Sequence, residues 1–551
     1  MLIHSQEVSQ TEEVTVVAPY QPKVSEAFKI NISPKIPDEE IEKPEFKYSI
    51  KSKTLETKPE LDLIRPANIA SESVSKLYKN YVKVGMGNYW TPFLELYANK
   101  LRSKKSAFGV YMKHLSSSGT IKDYAYPGNS NTEVKGYGKK FIKDHTLSAE
   151  VLYKRTGVHY YGYKPDDFPE LSLEKKDIKQ CFNLLGVSTD FSSNYTKARF
   201  LNHSIGLSYF YLRDNYKTNE QNLKVDAGVD KSFSFFDFSE QEKLGLDVNV
   251  DYYFNSDTIT NHNSGIIKIN PYYKLGFAQY NFKVGLDASI ESDSVTKAHF
   301  YPIVHIEVHV VKDALLTYAG INGELYRNSY RALSDENPFI ITNIDKRFSN
   351  NKLSQYGGIR GRINNYFNYN LSFVNSTIEN MPFFVNDTIS ALGPGLDNQF
   401  TLVYDKVKYS RVIAEFGFHW KNKFNAMLRG KYNSYFMDNE DKPWHKPGLE
   451  ISFNADYNLQ DKILIRAEFF TTSKMYAKIY DEVQSGSTSS TIESQAEING
   501  KFDLSLGAEY RYSEQLSGFI TLNNILGQRY FNWYNYPSYK FNLMLGVTYS
   551  F

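Results

Sequence analysis

Three residues on one short segment have side chains that could bind a metal ion. His305, Glu307 and His309 alternate with apolar residues, so all three point to the same face of a strand. Residues four positions apart in a strand lie about 13 Å from each other, at a rise of roughly 3.3 Å per residue. Zinc–nitrogen bonds are about 2 Å long, so the two histidines cannot reach one ion. We therefore predict a polar lining here and no metal site.

A histidine followed by serines, at residues 114–119, offers the residue types of a serine hydrolase. Such an enzyme needs a serine, a histidine and a carboxylate within hydrogen-bond reach of one another. Here His114 and the serines are adjacent, in a segment that we predict to be an outer loop. The sequence contains no phosphate loop, CxxC, HExxH or dinucleotide fingerprint. We predict that the chain is not an enzyme and that it uses no cofactor.

The densest run of aromatic residues lies at 530–539. Aromatic rings in an outer loop could stack on sugar rings or contact a partner protein. The alternative is an interfacial girdle with packing inside the loop, and we favour this alternative. The candidate outer-loop contacts are Tyr530, Phe531, Trp533, Tyr534 and Tyr536.

The sequence predicts that these side chains are held by β-strands. The alternation typical of a strand is clearest at 541–551. Apolar residues alternate there with mostly polar ones, the pattern of a strand with one apolar face. An apolar strand closed by an aromatic carboxyl terminus resembles the signal by which outer-membrane barrels are recognised for insertion. The residues of this predicted barrel-assembly signal are Phe541, Leu543, Leu545, Val547, Tyr549 and Phe551.

The same alternation recurs along the chain, at 244–254, 412–420, 424–432, 449–459 and 502–512. A transmembrane strand needs about nine to eleven tilted residues, apolar toward lipid and polar toward a wet lumen. Strands of soluble sheets are usually nearer five or six residues. The length and the charges on one face of each segment predict a barrel in a bilayer.

Composition agrees with a barrel of this kind. The chain has 551 residues, of which 41% are apolar, and a mean hydropathy of −0.48. No segment approaches the length of a transmembrane helix. Aromatic residues make up 15%, which suits girdles at the two membrane interfaces. The net charge of +2 does not favour nucleic acid as a partner, and the single cysteine, Cys181, excludes an intrachain disulfide framework.

Two regions differ in kind. Residues 1–75 hold seven of the nineteen prolines without sustained alternation, which predicts an extended N-terminal arm, periplasmic or inside the lumen. Residues 76–551 form the predicted domain, a large all-β antiparallel transmembrane barrel of about 16–22 strands. No signal peptide is recognisable at the start. Because a barrel must be exported, we infer that the signal peptide is absent or truncated in this numbering.

Two segments resemble the TonB-dependent receptors of the Bacteroidota. Residues 516–530 with the Tyr-Pro pair at 536–537 look like the last strands of that family, and Glu12–Ala18 looks like its TonB box. The TonB-box-like residues are Glu13, Val14, Thr15, Val16 and Val17. The family's plug domain is larger than the segment between Val17 and the first predicted strand, Tyr81–Trp90. The resemblance is therefore to a receptor barrel without a full plug.

Two functions remain open at this stage. The first is a porin-like pore or gated channel for solute uptake, as the resemblance implies. The alternative is a non-enzymatic accessory barrel in a larger outer-membrane assembly, secretion or uptake complex. In both, the expected location is a Gram-negative outer membrane, with the Bacteroidota indicated by the resemblance. The expected partners are outer-membrane lipid, the barrel-assembly machinery, and outer-membrane or periplasmic proteins that contact the arm and loops.

Overall fold

The computed structural model describes residues 78–551, apart from residues 101–102, 196–199, 258–260, 313, 388–391, 394 and 486–487. The arm and the TonB-box-like residues lie outside the described residues. No helix in the described part is long and apolar enough to cross a membrane. The chain there is almost entirely β-structure.

Twenty-two antiparallel strands form one sheet, which the pairing of its first and last strands closes into a barrel. The barrel strands are β1 (Asn80–Gly87), β2 (Thr91–Lys100), β3 (Ser106–Ser117), β4 (Asn129–Ile142), β5 (His145–His159), β6 (Lys179–Ser193), β7 (Leu201–Arg213), β8 (Asn219–Phe233), β9 (Gln241–Ser256), β10 (Asn261–Phe277), β11 (Tyr280–Ser292), β12 (Thr296–Val311), β13 (Leu315–Arg327), β14 (Phe348–Arg362), β15 (Phe367–Asn386), β16 (Phe400–Trp420), β17 (Phe424–Met437), β18 (Leu449–Leu459), β19 (Ile463–Thr472), β22 (Lys501–Arg511), β23 (Leu516–Asn523) and β26 (Asn542–Ser550).

Four further strands make two hairpins outside the barrel sheet, β20 (Met475–Ser485) with β21 (Thr488–Ile498) and β24 (Phe531–Trp533) with β25 (Tyr536–Pro537). The described helices are one α-helix, α1 (Tyr330–Glu336), and a 3₁₀ turn at Pro165–Asp167. The predicted all-β barrel is confirmed, and its 22 strands are at the upper limit of the predicted range.

The connections at the two ends of the barrel differ in length. At the end that holds residue 551 they are mostly hairpin turns, such as residues 278–279 and 460–462. Gln460 and Asp461 both have positive φ, at 53° and 57°, which matches the right-handed twist of the flanking strands. At the other end the connections include 160–178, 328–347 and 473–500. Because barrels of this kind carry their longer loops outside, we call this second end the outer end.

The apolar and polar residues that alternate in the sequence form the outer and inner faces of the barrel wall. In β26, Leu545 and Val547 expose 52% and 54% of their surface outward, whereas Thr548 exposes 3%. In β18, whose bounds match the predicted segment, Leu449 and Tyr457 lie on the exposed face. Apolar residues therefore form an outward band, as lipid requires, and polar residues face the lumen.

The wall departs from regular pairing beside β13. The ladder between β12 and β13 stops at Val304 and Ile321, although β13 continues along β14 as far as Arg327. Past that point Leu325, which is completely buried, packs against Ile266 and Tyr301. Ile266 lies opposite Asp251 and so faces the lumen. The outer end of β13 therefore leans inward and carries the next connection over the lumen.

Candidate functional site

The connection from β13 to β14, residues 328–347, closes part of the outer mouth, and α1 lies within it. The hydroxyl of Ser329 accepts a hydrogen bond from the Ala332 amide at 3.1 Å, so Ser329 caps the helix. Glu220 of β8, which is completely buried, accepts hydrogen bonds from the amides of Tyr330 at 2.8 Å and Arg331 at 3.0 Å. A wall carboxylate thus satisfies backbone donors that the helix cannot pair internally.

Asp214, in the short connection between β7 and β8, fixes the same helix through a side chain. Its carboxylate accepts hydrogen bonds from the Tyr330 hydroxyl at 2.9 Å, the Thr218 amide at 2.8 Å and the Gln180 side chain at 3.3 Å. Burial raises the pKa of Asp214, while these hydrogen bonds oppose the rise. Burial, together with the neighbouring Asp214 charge, also raises the pKa of Tyr330.

An apolar cluster lies beneath α1 and joins it to the inner face of the wall. Its buried members come from β6, β7 and β9, from the outer ends of β15 and β16, from the helix connection, and from the β24–β25 hairpin. They are Phe182, Leu184, Phe210, Leu212, Tyr253, Tyr330, Leu333, Ile340, Ile344, Phe384, Phe400 and Tyr536. An apolar core of this size keeps water out of the part of the lumen that it fills. We call this cluster, with residues 328–347, the lid.

Hydrogen bonds and ring stacking join residues 328–347 to other connections at the outer end. The amide of Phe400 donates to Phe339 at 3.0 Å, and the amide of Ile341 donates to Phe400 at 2.9 Å. The Tyr160 hydroxyl donates to the Ile340 carbonyl at 2.9 Å. Tyr536, from the connection before β26, stacks on Phe339 with ring centroids 3.7 Å apart and donates to Asn398. Four separate connections therefore hold one closed arrangement.

His445, in the connection between β17 and β18, is a buried polar member of this arrangement. Its Nδ1 lies 3.0 Å from the Phe384 carbonyl, and its Nε2 lies 3.3 Å from the amide of Tyr534. Nδ1 must donate and Nε2 must accept, which requires the neutral imidazole. Burial lowers the pKa of His445 to about 4. The ring therefore joins two connections only while it is uncharged.

The aromatic run at 530–539 turns inward. Trp533 packs against Phe384 and Phe400, and Tyr536 keeps only 2% of its surface exposed. Phe531 packs against the buried cluster at the base of the β20–β21 hairpin. The Tyr530 hydroxyl donates to Asp503 at 3.1 Å. Most of these rings thus contact other parts of the outer end, and Tyr536 has almost no surface left for an outside partner.

A polar chamber of about 540 Å³ lies below the lid. Side chains from β6–β10 and from the outer end of β13 line it. Lys224 pairs with Asp226 at 3.2 Å, and Lys268 pairs with Glu324 at 3.4 Å. Charges of both signs meet elsewhere in the lumen as well, for example in the contact between Arg429 and Glu415 at 2.7 Å.

The residues considered for metal binding and hydrolysis have structural partners. The His305 Nδ1 lies 3.1 Å from the Tyr356 hydroxyl, and Glu307 pairs with Arg360 at 2.9 Å. No group of three potential ligands is close enough to hold a metal ion among the described residues. The prediction of an outer loop for His114 is wrong, because His114 lies in β3, within 2.8 Å of the Thr132 hydroxyl. The strand was missed because His114 and Ser116 are polar residues on the face that carries Phe108, Val110 and Met112.

No protein-family model and no curated protein sequence matches this chain. Solved structures do match it. The Pseudomonas aeruginosa receptor FpvA, bound to a heterologous pyoverdine, superposes with a TM-score of 0.63 at 12% identity, over 86% of this chain and 72% of FpvA. The chain has the barrel fold of the TonB-dependent outer-membrane receptors.

Two further structures show the same receptor barrel. The ferric-catecholate import receptor Fiu from Escherichia coli K12 gives a TM-score of 0.61 at 10% identity, over 86% of this chain and 82% of Fiu. The FrpB iron transporter from Neisseria meningitidis gives 0.63 at 10% identity, over 87% and 82%. At such identities the likeness is one of fold. Together with the outward apolar band, it supports the predicted location in an outer membrane.

Proposed function

We propose that the chain is a receptor-like uptake channel whose outer mouth is opened by displacement of the lid. The observation that carries the proposal is the interlocked outer mouth, in which Glu220 and Asp214 hold α1 above a polar chamber. A freely open porin has no use for a buried apolar core across its lumen. A gated channel needs such a core, because its closed state must be a packed arrangement. Binding of a solute or a partner can then favour a second, open arrangement.

Single-channel conductance in a planar bilayer tests this proposal. Replacing residues 330–344 by a short Gly-Ser linker should raise the conductance well above that of the unaltered chain. A matched control removes residues 481–492 from the hairpin of β20 and β21, which lies outside the barrel sheet, and should leave the conductance low. Equal conductance of all three proteins would contradict the gating role of the lid.

The accessory-subunit function is the second candidate, and one turn favours it. Residues 234–240, at the end of the barrel opposite the lid, expose Phe235 by 75% and Phe238 by 60%. Glu242 orders this turn by accepting hydrogen bonds from the Phe235 and Phe236 amides at 3.1 and 2.7 Å. An ordered aromatic turn suits either the lipid interface or a periplasmic partner. Loss of a co-purifying protein from a Phe235→Ser, Phe238→Ser variant, with conductance unchanged, would favour the accessory function.

Two sequence-based proposals concern the chain ends. We propose that residues 541–551 direct insertion by the barrel-assembly machinery, and that Glu13–Val17 engage a TonB-like partner through the N-terminal arm. Removing Phe551 should reduce insertion, measured as heat-modifiable migration on gels. Removing residues 1–70 should raise conductance if the arm occupies the lumen. If that deletion instead releases a co-purifying protein at constant conductance, the arm belongs to an interface.

A further inference from the structure

Arg327, the last residue of β13, is a buried cation at the start of the lid connection. Its side chain is 7% exposed, and its Nε, Nη1 and Nη2 atoms are buried. Among the residues that the structure describes, none of these three atoms has a hydrogen-bond partner. The guanidinium lies 5.3 Å from the ring centroids of both Tyr253 and Phe348. Two aromatic rings thus hold the group in place.

The absence of a partner matters because guanidinium carries five donors and does not lose its charge in proteins. Contacts with aromatic rings compensate only part of the cost of removing such a charge from water. The nearby carboxylates are engaged in other ways. Glu220 accepts two amides of α1, Asp293 bonds to His262, and Glu324 pairs with Lys268. The planar donor set of Arg327 therefore lacks an acceptor in the described part of the chain, and an acceptor from outside the chain would supply one.

The place where such an acceptor would bind is the chamber below the lid, since Arg327 contributes to its lining. The two lysines that also line the chamber, Lys224 and Lys268, are ion-paired with Asp226 and Glu324. Its volume of about 540 Å³ lies in the range of sites for small solutes. Of the three basic side chains in this lining, Arg327 is the one without an ion pair among the described residues.

We propose that Arg327 is the binding group for an oxyanion, a carboxylate or a phosphate, on the solute that occupies this chamber. The planar fork of a guanidinium matches both groups with two parallel hydrogen bonds. The carboxylates of Asp226, Asp247 and Asp251 line the same chamber and disfavour further negative charge. The remainder of the solute therefore carries hydroxyl or amino groups and not a second acidic group.

The site also lies at the root of the lid. Arg327 is followed directly by Asn328, which bonds to the Arg347 carbonyl through its backbone amide and through its side chain, both at 3.0 Å. This contact joins the two ends of the connection that contains α1. A bound oxyanion would therefore be held where the lid begins. The inference deepens the proposed function by naming the class of solute, and it rests on that function only for transport, not for binding.

Calorimetric titration of the purified full-length barrel in detergent tests the inference, with inorganic phosphate and acetate as separate probes at constant ionic strength. Saturable binding of at least one probe is expected. Arg327→Met should weaken it by roughly 10–100-fold, the effect of charge-assisted hydrogen bonds. Arg347→Gln, which removes an exposed and ion-paired arginine from the same connection, should leave it unchanged. The stronger probe identifies the solute's group as phosphate or carboxylate.

Three results would overturn the inference. The first is the absence of saturable binding to the unaltered chain, and the second is equal binding by Arg327→Met. The third is failure of Arg327→Met to fold, because a buried cation without an ion pair among the described residues should be dispensable for folding. Binding is measured without a bilayer, so failure here leaves the conductance test of the lid untouched. A barrel that does not conduct could equally still bind the oxyanion.

Discussion

The two ends of this barrel differ in what holds their connections in place. At the inner end, strands are joined by hairpin turns such as residues 278–279, which do little more than reverse direction. At the outer end, separate connections meet over the lumen around Phe400 and Tyr536, both almost fully buried. The difference shows that the wall, apart from its closure by β1 and β26, needs only pairing between strands close in sequence, whereas the lid depends on contacts between residues far apart in sequence. The outer end is thus a small apolar core built onto a membrane barrel.

A cavity in the lid should give the largest effect on the stability of the outer end. Phe400 is fully buried, with the rings of His445, Trp533 and Tyr536 between 5.3 and 5.9 Å away. Phe400→Ala should destabilise the lid by about 3–5 kcal/mol, the cost of losing a buried phenylalanine. Protease cleavage of the outer connections as a function of denaturant measures this. Phe235→Ala, on the exposed inner turn, should change cleavage by no more than about 0.5 kcal/mol.

The two faces of the wall give the next largest effect. Leu545 of β26 faces outward with 52% of its surface exposed, so Leu545→Arg places a charge in lipid. This should cost about 2–4 kcal/mol near the middle of the bilayer. Asn454→Arg, on the lumen face of β18, should cost much less. Refolding equilibria in lipid vesicles measure both, and equal costs would contradict the assignment of faces.

A pH titration separates the lid from the wall. The unfolded chain protonates His445 below about pH 6.5, whereas the folded lid resists protonation down to about pH 4. The stability of the lid should therefore fall as pH drops between these values, by up to about 1.4 kcal/mol per pH unit. The same protease assay follows this fall. His445→Gln should remove this part of the slope, so parallel pH profiles of variant and unaltered chain would argue against it.

The smallest effect is expected at the exposed end of α1. Lys154 and Asp335 form an ion pair at 2.6 Å, with 28% and 47% of their side-chain surfaces exposed. Solvent screens such pairs, so Asp335→Asn should change lid stability by about 0–1 kcal/mol. Glu220→Gln should cost more, because its buried carboxylate accepts two amide hydrogen bonds. If Asp335→Asn were the more damaging change, the helix would be anchored from its other end.

The barrel was predictable from the sequence because its rule is local. Alternation at 449–459 is enough to locate a strand, and the structure places β18 at the same residues. Even there, polar or small residues on the apolar face concealed a strand, as at His114 in β3. What could be predicted was therefore the architecture, within a range of strand numbers.

The lid was not predictable, because no local pattern records it. Nothing around Glu220 indicates that its carboxylate meets an amide 110 residues later. Arg327 looks like the ordinary polar end of a strand until the inward lean of β13 buries it. The aromatic run at 530–539 gave the one available signal, since rings at that density must pack somewhere. Even this signal indicated only that the loop packs, and not what it packs against.

The pairing of β1 with β26 determines when the barrel can close during its assembly. Tyr81 lies opposite Ser550, so β1 has one edge that stays unpaired until nearly the whole chain has been made. In hydrocarbon, each uncovered backbone group on a waiting edge costs several kcal/mol. A truncated chain therefore cannot persist in the membrane as a smaller barrel with a free edge. We therefore expect insertion to depend on the nine residues of β26, because the wall closes only when this strand has paired with β1.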